Sequence, residues 1–305
     1  MTLQQLKYAV AVADAKNITE AARRVFISQP SLTAAIHELE SEMGISIFSR
    51  TNKGVSITNE GDTFLAYARQ ILEQSALLEA RYKGERNIKP IFSVSCQHYS
   101  FAVNAFVDVI HEFGGSDYDF TLRETQTHEI IEDVSKLKSE IGVLYLSGKN
   151  AVVISKLLKK CDLIFNPLFT TPLHVFISDS NPLAKKDLIT LEDLKPYPYL
   201  TYEQGDFNSF YYGEEPLSAI DFDCSKNIKV RDRATLFNLL IGLDGYTICS
   251  GVINHTLNGQ SIIARRLDVN DKMTIGIISK KGIEFSRYAK SYINSIKKHI
   301  EKGEV

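Results

Sequence analysis

No apolar run in this chain of 305 residues approaches the ~20 residues that a membrane-spanning helix needs. The N-terminus, MTLQQLKYAVAVADAKN, lacks a basic flank before its apolar part and a convincing cleavage site, which argues against a secretory signal and for a cytoplasmic protein. Cysteine is scarce: Cys96, Cys161, Cys224 and Cys249 are widely scattered, with neither a CxxC nor a metal-ligand spacing. They read as reduced, mostly buried thiols, and nothing in their spacing supports a redox-sensing pair. Enzyme signatures are missing as well, with no Gly-x-Ser-x-Gly elbow, no Walker loop, no His-Glu-x-x-His and no Gly-x-Gly-x-x-Gly after a strand. His37, His98, His111, His128, His174, His255 and His299 are dispersed, without the pairing a zinc site needs. Asp162, Asp193 and Glu203 are unremarkable single carboxylates. A large excess of positive charge is also lacking, since the net charge is −2.

What is present is a soluble globular composition, 44% hydrophobic and 24% charged, on a chain long enough for two or three modest cores. The organising stretch is Ile18 to Lys53, ITEAARRVFISQPSLTAAIHELESEMGISIFSRTNK. Thr19 is placed to N-cap a first helix, with Ala21, Ala22 and Val25 on one face and room for a second helix to cross closely. Phe26 and Ile27 close a turn. Ser28 is the next N-cap, and Pro30 follows in the first turn, where it loses no helical hydrogen bond. Leu32, Ile36, Leu39 and Met43 then form one apolar helical stripe, ended by Gly44 in a left-handed cap. Gln29, Ser31, Thr33, Ala34 and His37 remain on the exposed side, small or hydrogen-bonding residues clustered toward the end that meets base edges in a helix-turn-helix. On spacing alone, a plain pair of packed helices is the alternative.

Around that stretch, residues 3–13 predict a supporting helix. Ile45, Ile47, Val55 and Ile57 alternate about Thr51-Asn52-Lys53-Gly54, a hairpin signal that makes a wing carrying Arg50 and Lys53. Thr58 caps a long helix in which Phe64, Ala68, Ile71, Ser75, Leu78 and Tyr82 recur as a heptad seam. Such a helix needs a partner, either a second copy or its own domain. Residues 1–58 are barely basic, with Lys7, Lys16, Arg23, Arg24, Arg50 and Lys53 set against Asp14, Glu20, Glu38, Glu40 and Glu42. Each phosphate neutralised adds roughly −0.9 to the salt slope of binding, so useful affinity for DNA needs more than one chain.

The polar run 84–90, ending in Pro90, marks a domain boundary. Beyond it, strands at 91–95, 118–124 and 141–145 alternate with helices at 101–113 and 128–138, the pattern of a mostly parallel sheet covered by helices. A second group follows, with strands at 163–169, 173–178, 199–202, 228–230, 246–249, 262–267 and 273–279 and helices at 234–243 and 285–300.

The string SQPSLTAAIHELESEMGISIFSR, preceded by TEAARRVF, resembles the N-terminal domain of LysR-type transcriptional regulators over residues 3–81. The Ala-Ala pair, Ser-Gln-Pro, Leu-Glu, the glycine and Phe-x-Arg carry the likeness. The resemblance implies an α/β architecture: a winged helix-turn-helix at 1–58, a linker and dimerisation helix at 59–88, and an effector domain at 89–305. That domain is expected to be two-lobed and periplasmic-binding-protein-like (type 2), with lobe I at about 89–148 and 268–305, lobe II at about 149–267, and crossovers near 146–149 and 265–268. It implies DNA contacts from Gln29, Pro30, Ser31, Thr33, Arg50 and Lys53, and dimerisation through Phe64, Ala68, Ile71 and Leu78. Effector contacts are expected from Gln97, His98, Ser100 and Thr127 on one lobe and Thr201 and Tyr202 on the other. His98 would suit an anionic effector.

The implied partners are double-stranded DNA, a small-molecule effector and further copies of the chain as homodimer or homotetramer. RNA polymerase is left open, and no membrane, metal or cofactor is called for. Closure of the lobes around the effector would alter subunit packing and hence DNA bending. A solute-binding protein of the same lobed fold would instead need export and would lack the DNA-reading module.

The chain departs from the family in three places. Ala34 stands where many members carry Arg, which removes one major-groove contact. Residues 242–250 replace a more glycine-rich segment. The aromatic run Phe207, Phe210, Tyr211, Tyr212 has no family role; it reads as local packing, a pocket lid or a subunit surface.

Overall fold

Every helix of the N-terminal unit is opened by a side chain just ahead of it. Thr2 and Gln5 form a capping box on α1 (Leu3–Ala15). The Asn17 side chain accepts from the Glu20 N–H to start α2 (Ile18–Arg24), so the cap lies two residues before the predicted Thr19, which is inside the helix. Ser28 caps α3 (Gln29–Met43) through the Ser31 N–H, and Gly44 ends it at φ 66°. The Thr58 hydroxyl accepts from the Gly61 N–H at the head of α4 (Asn59–Lys83).

In this computed structural model, residues 1–51, 54–83, 89–115, 117–207, 210–217, 224–253 and 261–302 are described. They divide into two compact units, Met1–Lys89 and Pro90–Val305.

The first unit packs Ala9, Val12, Ala21, Ala22, Leu32, Ile36, Leu39, Ile47 and Leu65 into one core. Each large aliphatic side chain there contributes roughly 1.5–3 kcal/mol by leaving water. Met43, the last residue of the predicted stripe, stays 37% exposed. Phe26 makes the tight turn between α2 and α3 at φ 56°. The wing pairs β1 (Phe48–Thr51) with β2 (Gly54–Ile57) in antiparallel register. Its base is tied to α3 by Glu40, whose Oε1 accepts from the N–H groups of Ile47 and Phe48.

Helix α4 runs against α1 over its first turns, where Leu65, Ala66 and Ala68 are buried and Phe64 packs on the same core. Ile71 and Leu78 are exposed further along. The predicted seam is therefore divided: Ala68 is consumed by its own domain, and the face open to a second copy begins at Ile71.

In the second unit five strands lie in the order β4-β3-β5-β13-β6. Here β3 is Ile91–Cys96, β4 Asp119–Glu124, β5 Ile141–Ser147, β6 Leu163–Pro172 and β13 Lys272–Lys280. The first three are parallel, and β13 runs antiparallel to both β5 and β6. Helices α5 (Ser100–Phe113) and α10 (Arg287–Lys302) bury Phe101, Ala105, Tyr292 and Ile296 in one cluster with β3. Helices α6 (Thr127–Ser135) and α7 (Ala151–Lys160) bury Ile130, Val134, Ile154 and Leu158 in another with Leu144 of β5. Strand β5 is covered on both sides, which is why it reads as a continuous apolar run.

A second sheet has the order β11-β7-β12-β8, with β7 His174–Ser178, β8 Leu188–Ile189, β11 Thr247–Cys249 and β12 Ile262–Leu267. The short helix α8 (Leu191–Leu194) follows β8. The parallel pair β9 (Tyr199–Tyr202) and β10 (Asn227–Val230) joins this sheet through a bridge between Tyr199 and Tyr246. Helix α9 (Arg233–Gly242) buries Leu236 and Leu240 against Leu200, Val230, Ile253 and Ile262.

The first crossover corrects the expected boundary near 149. Strand β6 pairs with β13 from Leu163 through Pro172, so α7 and β6 belong with the first sheet and the chain changes lobes at Leu173. The return lies between β12 and β13, close to the expected 265–268.

Candidate functional site

In the N-terminal unit, Gln29, Pro30 and Ser31 are exposed at the start of α3, and Thr33 is half-exposed one turn on. The Thr33 hydroxyl donates to the Gln29 carbonyl at 2.9 Å. Ser31 shares its hydroxyl with Ser28 at 2.7 Å, within the cap itself. Gln29 is thus suited to a bidentate contact with a base, and Thr33 to presenting its methyl group to a thymine. Of Arg50 only the backbone, paired with Val55, is described, and Lys53 lies outside the described residues. Arg23 and Arg24 both pair with Glu20 across the surface of α2, at 2.8 and 3.0 Å.

The second candidate site lies where the C-terminal ends of parallel strands leave the two sheets, the usual ligand position of such folds. After β3 come Gln97 and His98. Gln97 is buried and turned into the lobe: its Nε2 donates to Thr127 Oγ1 at 2.7 Å, and its Oε1 accepts from the Tyr99 hydroxyl at 2.8 Å and the Tyr145 N–H at 3.1 Å. It positions the wall of the cleft, its carbonyl oxygen already filled by two donors and the side chain itself buried. His98 faces the cleft, with its ring stacked on Tyr202 at 3.9 Å between centroids and 5° between planes. Ser100 lines the cleft, as does Tyr202 from the opposite lobe. The Thr201 hydroxyl instead donates to Asn227 Oδ1 at 3.2 Å, away from it.

The acceptors that fill these donors come from the chain itself. Glu214 accepts from the His98 N–H at 3.1 Å and lies 2.9 Å from His98 Nδ1, each side chain about 95% buried. Glu215 accepts from the Tyr202 N–H at 2.9 Å. The Thr127 N–H, at the start of α6, donates to Gln204 Oε1 at 3.1 Å. Next to them Arg233, at the start of α9, stands 3.4 Å from Glu124 Oε1. A cavity of about 40 Å³, room for a few waters, lies beside the two glutamates. Phe176, Phe237, Val252 and Met273 give it an apolar side.

Burial sets the protonation of this group. Glu215 is pushed up to about 8 by burial and then by the Glu214 charge beside it. Burial opposes a proton on His98, yet the Glu214 carboxylate outweighs that and raises the imidazole above its ordinary value. Burial also raises Glu124, against the pull of Arg233. The arrangement can hold carboxylates by N–H donors and a cationic ring.

Sequence reasoning thus located His98, Ser100, Thr127 and Tyr202 at this site and passed over Gln204, Glu214, Glu215 and Arg233. The available signal was an adjacent pair of glutamates between Tyr-Tyr-Gly and Pro-Leu, charge set in apolar surroundings. All four cysteines are free, and only Cys96 is fully buried. Among the described residues no group of His, Cys, Asp and Glu gathers as a metal site, and no helix is long and apolar enough to cross a membrane.

A helix-turn-helix with a wing, on one chain with a two-lobed domain that holds carboxylates between its sheets, defines a DNA-binding regulator with a ligand-binding domain. Residues 3–62 match the bacterial regulatory helix-turn-helix protein, lysR family, and residues 99–301 match the LysR substrate binding domain. The chain belongs to the LysR family of transcriptional regulators. It is 26% identical over 249 residues to the HTH-type transcriptional regulator AlsR of Bacillus subtilis, covering 80% of this chain and 77% of that one. It is also 26% identical over 209 residues to the transcriptional dual regulator OxyR of Escherichia coli, covering 67% of this chain and 65% of that one. Among solved structures, a full-length OxyR variant from Pseudomonas aeruginosa has the same fold at a TM-score of 0.60 and 21% identity, over 97% of this chain and 94% of that one. These relatives are regulators of transcription, not enzymes.

Proposed function

We propose that a small organic acid bound between the two lobes switches how this regulator reads DNA. The observation that carries this reading is the donor set at the cleft: the His98 N–H and ring and the Thr127 N–H from one lobe, and the Tyr202 N–H from the other, each engaged by a side-chain oxygen. An acid that spans these donors holds the lobes in one relative position, and only a ligand with different affinities for two states can shift their balance. The exposed Ile71 and Leu78 on α4 support pairing with a second copy, which supplies the cations that one chain lacks.

The test begins with operators enriched from sheared DNA of the source organism. Small carboxylic acids are then screened for any that change the DNase footprint of the full-length protein. An acid that shifts the wild-type footprint and leaves that of H98A unmoved supports the reading. Footprints that no acid alters, or an acid that shifts both proteins alike, overturn it.

A further inference from the structure

The segment 213–217, Gly-Glu-Glu-Pro-Leu, makes the contacts between the lobes that a bound ligand would make. The Gly213 carbonyl accepts from the Tyr145 hydroxyl at 3.0 Å, and Glu214 engages His98, both on the first lobe. Glu215 accepts from the Tyr202 N–H at 2.9 Å, and the Leu217 carbonyl accepts from the Tyr199 hydroxyl at 2.6 Å, both on the second. Glu214, Glu215 and Leu217 are all buried. The approach is fixed by Phe207, whose ring stacks on His128 of α6 at 3.5 Å and 7°. A glutamate pair is an expensive choice for packing alone, because buried carboxylates are costly unless paired and hydrogen-bonded. Here each carboxyl group finds the N–H donor that an acid would use.

We propose, building on the effector reading above, that residues 213–217 are a tethered ligand, a strap whose Glu214 and Glu215 occupy the acid site so that an external acid acts by displacing them. The occupant names the class of its competitor: a compact molecule with two acidic groups, one meeting the His98 N–H and ring and the other the Tyr202 N–H. The apolar side made by Phe176, Phe237 and Met273 favours a short hydrocarbon spacer over a sugar or nucleotide. Self-occupancy also sets a threshold. If the strap is docked about 99% of the time, the apparent affinity of any competitor falls about 100-fold. The regulator then answers only when its acid accumulates.

The probe is the blocked hexapeptide acetyl-YGEEPL-amide, which copies residues 212–217, titrated calorimetrically into full-length wild type and E214A/E215A. The expected result is saturable binding to the double variant, at least about ten-fold weaker binding to wild type, and no binding of the same peptide with both glutamates replaced by alanine. Equal affinity for the two proteins overturns the proposal, as does an alanine peptide that binds like the parent, or silence from both proteins. Should the double variant not fold, E214Q serves with hydrogen exchange. Exchange at the His98 and Tyr202 amides at least ten-fold faster than in wild type supports the strap, and unchanged exchange overturns it. Failure of the effector reading looks different, since the strap variant would still take up the peptide while the footprint ignored every acid.

Discussion

Glu214 and His98 lie 116 positions apart in the chain, yet the carboxylate of one accepts from the backbone N–H of the other at 3.1 Å and sits 2.9 Å from its ring nitrogen. A buried ion pair fixed within a fold costs about 3–5 kcal/mol when one partner is removed, because the survivor is left unpaired. A pair that ties a releasable strap to a lobe behaves otherwise, since the remaining carboxylate can leave for water. H98A should therefore lower the urea-unfolding stability of the effector domain by less than about 2 kcal/mol. A loss in the 3–5 kcal/mol range would show the strap to be a fixed part of the core.

The protonation of Glu215 gives the cleft a pH dependence. Its ordinary value is 4.5 and its folded value about 8, so between those limits the folded state holds a proton that the unfolded chain has released. Stability then falls as pH rises across that window. His98, raised by Glu214, acts in the same sense: its contribution is complete below the ordinary imidazole value and is lost as pH rises through the raised one. Glu124 and Glu140, raised by burial, add to the fall. The phenols of Tyr99, Tyr145, Tyr199 and Tyr202, which surround the group, are raised further by burial and do not titrate in that window, and the Arg233 guanidinium faces the group from α9. Urea midpoints at pH 5.5, 7 and 8.5 should decline in wild type and decline less in E215Q. Parallel declines would remove Glu215 from the explanation.

On the DNA side, Gln29 and Thr33 are exposed or half-exposed, and their truncation opens no cavity. A good base contact is worth about 1–3 kcal/mol. Q29A/T33A should bind operator DNA about 10- to 100-fold more weakly in gel shift, with a thermal midpoint within about 2 °C of wild type. Undiminished operator affinity would place base reading elsewhere on the unit.

Gly61 is where α4 meets the wing. A Cβ there would lie 2.0 Å from the Ile47 carbonyl oxygen, a backbone atom that cannot step aside. G61A should destabilise the N-terminal unit by about 1–3 kcal/mol, as overpacking does. The calorimetric transition of the full-length protein assigned to residues 1–89 should move down, with that of the effector domain unchanged.

Much of this was legible in the sequence because it is local. Ser28, Pro30, Gly44 and Thr58 mark helix ends through contacts within a few residues, and the alternation after Pro90 announces a covered parallel sheet. Long-range events were not legible. The partner of β6 is β13, about a hundred positions on, so the lobe boundary set near 149 fell more than twenty residues early. Ala68 fits a dimer seam by spacing and is nonetheless buried within its own domain. His98 was found from its place after a strand, whereas Glu214 and Glu215 gain meaning only once the chain returns to bring them there.

The most direct measurement is the affinity of E214A/E215A for the YGEEPL peptide with and without saturating operator DNA. Coupling between the two sites is reciprocal, and allosteric coupling is typically about 5- to 150-fold. Operator DNA should therefore change the peptide's dissociation constant by at least about five-fold. Equal constants in the two titrations would mean that the cleft and the DNA-reading helices do not communicate, contradicting a ligand-switched regulator.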